Sequence, residues 1–203
     1  DGNDIEIQGT INIKPSSQIS IFSLSYVTEI VGTITGCTLN GNITGFEVFN
    51  QVDTIFGNLS ISNNNSLVIL NSFNNLSKVY NITISYCPYL LEIAGFINLD
   101  TILYFCNIEN NSLLSNLSGF DHALEVSTWL IKNNSVLSNC SISPICKYLW
   151  KYNTLHALEN NSNGCNTSSE ILINCGNPPD LDDDGVNDYI DNCLTISNSD
   201  QID

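Results

Sequence analysis

The 203-residue chain is expected to be mainly β: a right-handed parallel β-solenoid of about six 23-residue coils, a disulfide-closed C-terminal cap, and then an irregular cation-bound segment. Three observations predict this. Apolar residues recur with a period near 23 through the body, and four of the eight Cys crowd between Cys140 and Cys175. Eight of the 21 acids fall in the final 24 residues, which open on DLDDDGVNDYIDNC. The expected divisions are 1–139 for the solenoid, 140–176 for the cap and 177–203 for the acidic segment.

The repeat is anchored on Ile61, Ile84, Ile108 and Ile131, with steps of 23, 24 and 23 residues. Six residues after the anchors stand Leu67, Leu90, Leu114 and Leu137; nine after, Leu70, Ile93, Leu117 and Cys140; twelve after, Phe73, Phe96 and Phe120. Weaker copies, as expected of a cap, are anchored on Ile34, which keeps Ile43 and Phe46, and on Ile13, which keeps Ile19 and Phe22. Two residues before the main anchors come Leu59, Ile82, Cys106 and Trp129, so each stretch reads apolar, polar, apolar. That is a short strand with one buried face. Spacing that wraps back around a shared core makes successive strands parallel, about 4.8 Å apart.

Three residues after the anchors stand Cys37, Asn64, Cys87, Asn111 and Asn134. With IFGNLSISNNNSL they follow L-x-x-L-x-L-x-x-N/C and I-x-G-x-L-x-I-x-x-N-x-x-L, so about residues 27 to 150 resemble leucine-rich repeats. The match is to the receptor L-domain variety seen in large surface proteins of Bacteroidetes bacteria. That resemblance implies that the five residues turn inward and hydrogen-bond the adjacent turn as a ladder, with Cys37 and Cys87 as buried thiols. The stretch 84–99 departs from the pattern, with SYCPYL in place of an Asn-rich turn.

From Cys140 the repeat breaks. Ser143 before Pro144 is expected to cap a short helix over ICKYL. Cys140, Cys146, Cys165 and Cys175 lack metal-type C-x-x-C pairs and partnering His, which points to disulfides and an oxidising, extracellular compartment. Three pairings are open. Resemblance to the cysteine-bearing caps of extracellular leucine-rich repeats implies Cys140 with Cys165 and Cys146 with Cys175.

Counting Asp180 as the first position, acids stand at positions 3, 5, 9 and 12, namely Asp182, Asp184, Asp188 and Asp191, with Gly185 at 6. Alternate acids aimed at one centre, and a Gly for the sharp turn, make a calcium-loop pattern in which Val186 offers its carbonyl. Position 12 is Asp where an EF-hand has Glu, and Pro178-Pro179 replaces the entering helix. The run to Asp203 resembles the thrombospondin type 3 repeat, departing only at Leu194, where Pro is usual. That resemblance implies a Ca2+-wrapped rod in which Asn198, Asp200 and Asp203 begin the next loop. The Cys of that family often pairs with a neighbouring repeat, which leaves Cys193 single or paired elsewhere.

Charge and motifs exclude some functions. Five Lys, no Arg and a net charge of −16 repel phosphate backbones and anionic membranes, so neither nucleic acid nor membrane insertion is expected. His122 and His156 are isolated, and no GxSxG, HExxH or P-loop occurs, so no enzyme is expected. The eleven Asn-x-Ser/Thr sequons, Asn58, Asn81 and Asn116 among them, follow largely from composition. Thr54 and Thr101 follow Asp in DTI, which looks like the O-glycosylation signal of Bacteroidetes.

The solvent side of the strands should carry any ligand: Ser60, Ser62, Thr83, Ser85, Asn107, Glu109, Leu130 and Lys132, with Glu109 and Lys132 in register to pair. The expected role is an extracellular binding or adhesion module for protein or carbohydrate on a calcium-stiffened stalk. The alternatives are a spacer or self-assembling filament subunit, and an accessory part of a surface hydrolase. The strand near DIEIQGTINI favours self-association, since exposed edges template pairing.

Overall fold

A computed structural model of the chain describes residues 5–12, 27–35, 50, 52–65 and 67–201. It is mostly β, with a parallel sheet and two helices among these residues. In chain order the elements are β1 (Ile5–Asn12), β2 (Val27–Thr35), β3 (Thr54–Ser62), β4 (Ile69–Leu70), β5 (Lys78–Ser85), β6 (Glu92–Ile93), β7 (Thr101–Glu109), β8 (Glu125–Val126), β9 (Trp129–Lys132), α1 (Ser143–Tyr152), β10 (Ala157–Glu159) and α2 (Ser168–Cys175). The main sheet runs β1-β2-β3-β5-β7-β9-β10, with β8 beside β7. A second line of parallel pairing joins β4 to β6 and Glu92 to Asn116.

The anchors lie opposite one another: Ile61 faces Ile84, Ile84 faces Ile108, and Ile108 faces Ile131. At the N-terminal end the registration differs from the one expected. Ile34 faces Leu59, not Ile61, and Ile34 is faced by Ile11, not Ile13. The steps there are 23 (11 to 34) and 25 (34 to 59), where the expected anchors gave 21 (13 to 34) and 27 (34 to 61). A shift of two keeps the same residues pointing inward, so hydrophobic alternation cannot tell these registers apart; backbone pairing decides. Cys37, whose ladder position rested on that anchoring, lies outside the described residues, as do Ile13, Ile19, Phe22, Ile43 and Phe46.

The core fills from the repeat positions: the residues six, nine and twelve after the anchors are all fully or almost fully buried. Phe73 stacks on Phe96 at 5.5 Å between ring centres, Phe96 on Phe120 at 5.1 Å, and Trp129 closes the row edge-on at 5.8 Å. Backbones run close beside this row. A Cβ on Gly95 would stand 2.0 Å from the Ser72 carbonyl oxygen, and one on Gly119 would stand 2.2 Å from that of Gly95. Only Gly allows neighbouring segments to approach so closely.

The turns after β3, β5, β7, β9 and β10 follow one rule. The residue two after the anchor is left-handed every time: Asn63, Tyr86, Asn110, Asn133 and, after β10, Asn160, with φ between 54° and 57°. Asn adopts this conformation at little cost; a bulky side chain does so only under strain. That explains the Asn-rich turns and makes Tyr86 the exception in SYCPYL. The next residue supplies the ladder. The Asn111 amide donates to the Ile84 carbonyl at 2.9 Å and accepts the Cys87 backbone N–H at 3.0 Å. Asn134 repeats this with the Ile108 carbonyl at 3.0 Å and the Asn111 N–H at 3.1 Å. Cys87 takes the same place with its thiol over the Ile61 carbonyl at 3.9 Å. Asn64 is buried in line with them and accepts the Leu67 N–H at 3.0 Å. Asn161 extends the row beyond the expected five, donating to the Ile131 carbonyl at 2.8 Å and accepting the Asn134 N–H at 3.1 Å. It stands three residues after Leu158, which faces Ile131, so the offset of three was its signal.

The region after Cys140 packs two helices onto the end of the core. Disulfides join Cys140 to Cys165 and Cys146 to Cys175. Ser143 is not the cap of α1: Ile142 holds that position in an extended conformation, and Ser143 is already helical. Cap geometry needs a β-region backbone, and here it falls one residue earlier, with Pro144 still in the first turn. Helix α2 was not anticipated, although Thr167-x-x-Glu170 is a capping box: the Thr167 hydroxyl accepts the Glu170 N–H at 3.2 Å. The Glu170 carboxylate turns back to accept the Gly164 and Asn166 N–H groups, and these bonds hold it below the usual carboxylate range.

Three outcomes follow. Asn134→Ala leaves the Asn111 N–H and the Ile108 carbonyl buried without their partner, and should cost roughly 1–3 kcal/mol in urea unfolding. Tyr86→Asn relieves a left-handed bulky residue and should stabilise by about 1 kcal/mol in the same assay. Burial pushes the Cys87 thiol up to about 11, against the Asn64 N–H that it accepts, and pushes the fully buried Cys106 higher still. Both are therefore protonated at pH 8. Iodoacetamide at that pH should label the half-buried Cys193 in the native chain and spare Cys87 and Cys106, and mass spectrometry reads the difference.

Candidate functional site

The acidic segment has no core, and short polar turns fold it. Asp183 and Gly185 take left-handed conformations at φ 57° and 91°. The Asp180 carboxylate accepts the Gly185 N–H at 3.0 Å, and Asp188 accepts the Leu181 N–H at 2.8 Å. These bonds curl the chain so that carboxylate oxygens of Asp180, Asp182 and Asp184 lie within 4.8 Å of one another. Among the described residues they form the single group of three or more acidic, Cys or His side chains close enough to hold one metal ion. Neither His122 nor His156 belongs to it.

Around this cluster, acceptors outnumber donors. Oδ1 of Asp180, both oxygens of Asp182, Oδ2 of Asp191 and Oδ1 of Asn198 are shielded from water and no well-formed hydrogen bond reaches them, the Asp184 N–H alone lying near enough to Asp182 to favour its charged form. Five such oxygens are what a hard cation with oxygen ligands requires, and without one they would be costly to bury. The residues therefore fit a bound divalent ion. The Asp182 carboxyl is pushed above the usual range, first by loss of water and then by the charge of Asp184, with Asp191 and Asp180 adding to it. Asp184 spends its two oxygens on the Val186 and Asn198 N–H groups, tying the loop to the following turn. Asp188 closes the loop from behind, Asp200 is exposed, and Asp203 lies outside the described residues.

The expected binding face is half-buried at Ser60, Ser62, Thr83, Asn107, Glu109, Leu130 and Lys132, but Ser85 is buried, 5% exposed, and does not belong to an open surface. It is the last residue of β5, just before the Tyr86 turn, and its carbonyl accepts the Asn63 N–H. The Lys132 ammonium reaches Glu109 at 3.2 Å across β7 and β9. Thr54 and Thr101 begin β3 and β7 in equivalent, half-buried places. The sequon residues Asn58 and Asn81 are hydrogen-bonded to each other, and Asn116 donates to Glu92.

One feature was missed. Toward the start of the same strands, Phe56, Tyr80 and Tyr104 meet edge to face at 6.1 and 5.7 Å, with Phe56 and Tyr104 exposed. Their spacing of 24 and 24 residues was visible, but they sit beyond the repeat's own strand stretch. The irregular pairing between Ile55 and Asn58 and between Val79 and Asn81 turns them outward together.

The raised Asp182 group carries a sign. In the empty loop it adds stability at pH values below its unfolded value and loses that contribution as pH rises through its raised folded value. A bound cation reverses this, because the ion requires the carboxylate. Calcium titrated into the chain at pH 7 should raise the melting temperature and protect residues 180–201 from proteolysis. Asp182→Asn should weaken that binding at least about tenfold by calorimetry.

No family model, curated protein or solved structure matches this chain, so the site stands on its own geometry.

Proposed function

We propose that the chain is a non-enzymatic extracellular module that binds carbohydrate or protein through its strand face. In this reading, residues 1–139 are a right-handed solenoid of leucine-rich-repeat or receptor L-domain type, 140–176 are its cap, and 177–203 are a thrombospondin type 3-like stalk stiffened by calcium. The facing anchors Ile61, Ile84, Ile108 and Ile131 and the Asn/Cys ladder support the first part. Two disulfides support an oxidising compartment for the cap, and no described helix is long and apolar enough to cross a membrane. The unpartnered oxygens support calcium.

The observation that carries the binding role is the row of Phe56, Tyr80 and Tyr104 beside the polar strand face, exposed at Phe56 and Tyr104 and half-buried at Tyr80. Aromatic rings with a polar rim offer contact area at low entropic cost, and stacked on a rigid sheet they are already ordered. A soluble monomer applied to glycan and protein arrays should give specific ligands. Tyr80→Ala with Tyr104→Ala should abolish them while the melting temperature holds. Retained binding in that variant removes the strip from the account.

A second reading has its own observation. β1 is an eight-residue outer strand, and long sheet edges pair with copies of themselves. Concentration-dependent assembly in sedimentation, lost on Ile7→Pro, would favour a filament subunit over a monomeric receptor.

A further inference from the structure

Among the described lysines, Lys132 is paired with a carboxylate, whereas neither the isolated Lys78 nor the neighbours Lys147 and Lys151 have a carboxylate within ion-pair distance. In a chain of net charge −16 two unpaired cations side by side are unexpected. They stand four residues apart on α1 and so share one face. That face forms one wall of a groove of about 450 Å³. The opposite walls come from Glu125–Ser127 and from Tyr189 of the acidic segment. Tyr148 and Tyr152, in contact at 4.7 Å, complete the lining, and the Lys151 ammonium lies 5.2 Å from the centre of the Tyr152 ring.

We propose that this groove binds an acidic sugar, a uronic acid residue of a polysaccharide, with its carboxylate between Lys147 and Lys151 and its ring against the tyrosines. Charge complementarity selects the anion: two lysines face one glutamate across the lining, a local balance of +1. Asp188, next to Tyr189, adds one nearby negative charge, while acids farther than about 8 Å are screened at physiological salt, so the paired lysines set the charge at the α1 wall. Ring faces and hydroxyls select a sugar over an acidic peptide, because the strand edge that lines the groove, Glu125–Val126, is only two residues long and offers little for a peptide strand to pair with. Tyr189 is held in place by stacking on Trp150 at 5.8 Å, and it lies between Asp188 and Asp191. The fourth wall is thus built by the acidic segment. The site is separate from the Phe56–Tyr104 strip and does not depend on it.

The test is calorimetry on the full chain in calcium, with digalacturonate as the probe, its neutral counterpart digalactose, and an acidic hexapeptide as controls. Digalacturonate should bind at least about tenfold more tightly than digalactose. Lys147→Gln with Lys151→Gln should weaken it by about tenfold or more with the melting temperature unchanged, and Tyr189→Ala should weaken it several-fold. Absent binding, equal binding of the neutral sugar or the peptide, or affinity indifferent to both variants overturns the proposal. Because the strip variant Tyr80→Ala with Tyr104→Ala should leave digalacturonate binding intact, failure here is distinguishable from failure of the strand-face reading.

Discussion

The bond between a buried side chain and the neighbouring turn's backbone organises this molecule. β3, β5, β7, β9 and β10 each run into a left-handed residue, and the chain then leaves the sheet with N–H and C=O groups that no strand can pair. Asn111, Asn134 and Asn161 each satisfy one donor and one acceptor of the preceding turn at about 3 Å. The residues six, nine and twelve positions on can then stay buried, because turning inward strands no polar group. Cys87 performs the same task with a thiol, a weaker donor and acceptor, and its turn carries the strained Tyr86 as well. The weakest turn of the ladder is therefore at SYCPYL.

The ladder also fixes what lies at the surface. Left-handed Asn residues next to it form a second, outer row, in which Asn133 donates to Asn110 and Asn160 to Asn133 at 3.0–3.1 Å. One edge of the strand face is thereby committed to structure, and the aromatic strip and the polar strand positions lie outside that row. At the far end, Trp150 and Tyr189 join the cap to the acidic segment. Order in the acidic segment and order in the two-helix region are thus coupled through this stacked pair.

Much of this could be read in the residues because it is periodic. Anchors, core positions and inward Asn recur at fixed offsets, and the loop acids at fixed spacing, so local chemistry identified them. What escaped the reading depended on the third dimension. The β1 and β2 registers differ from the expected ones by two residues, a change invisible to alternation. Ser85 has the right parity for the open face yet is buried by its turn. The aromatic strip arises where irregular pairing rotates three rings outward, and the lysine groove needs a helix, a two-residue strand and a distant loop to meet. Asn161 and α2 were legible, from the offset of three and the Thr167–Glu170 box, but the break at Cys140 hid them.

The most direct measurement is native-state hydrogen exchange of single backbone amides by NMR. If side chains of the following turn hold them, the Cys87, Asn111 and Asn134 N–H groups should exchange only on global unfolding, as slowly as the Ile84 and Ile108 amides in the strands, although they lie in turns. Exchange of these three at the fast rates of exposed turn amides that make no hydrogen bond would contradict the ladder and with it the account of how this chain closes its core.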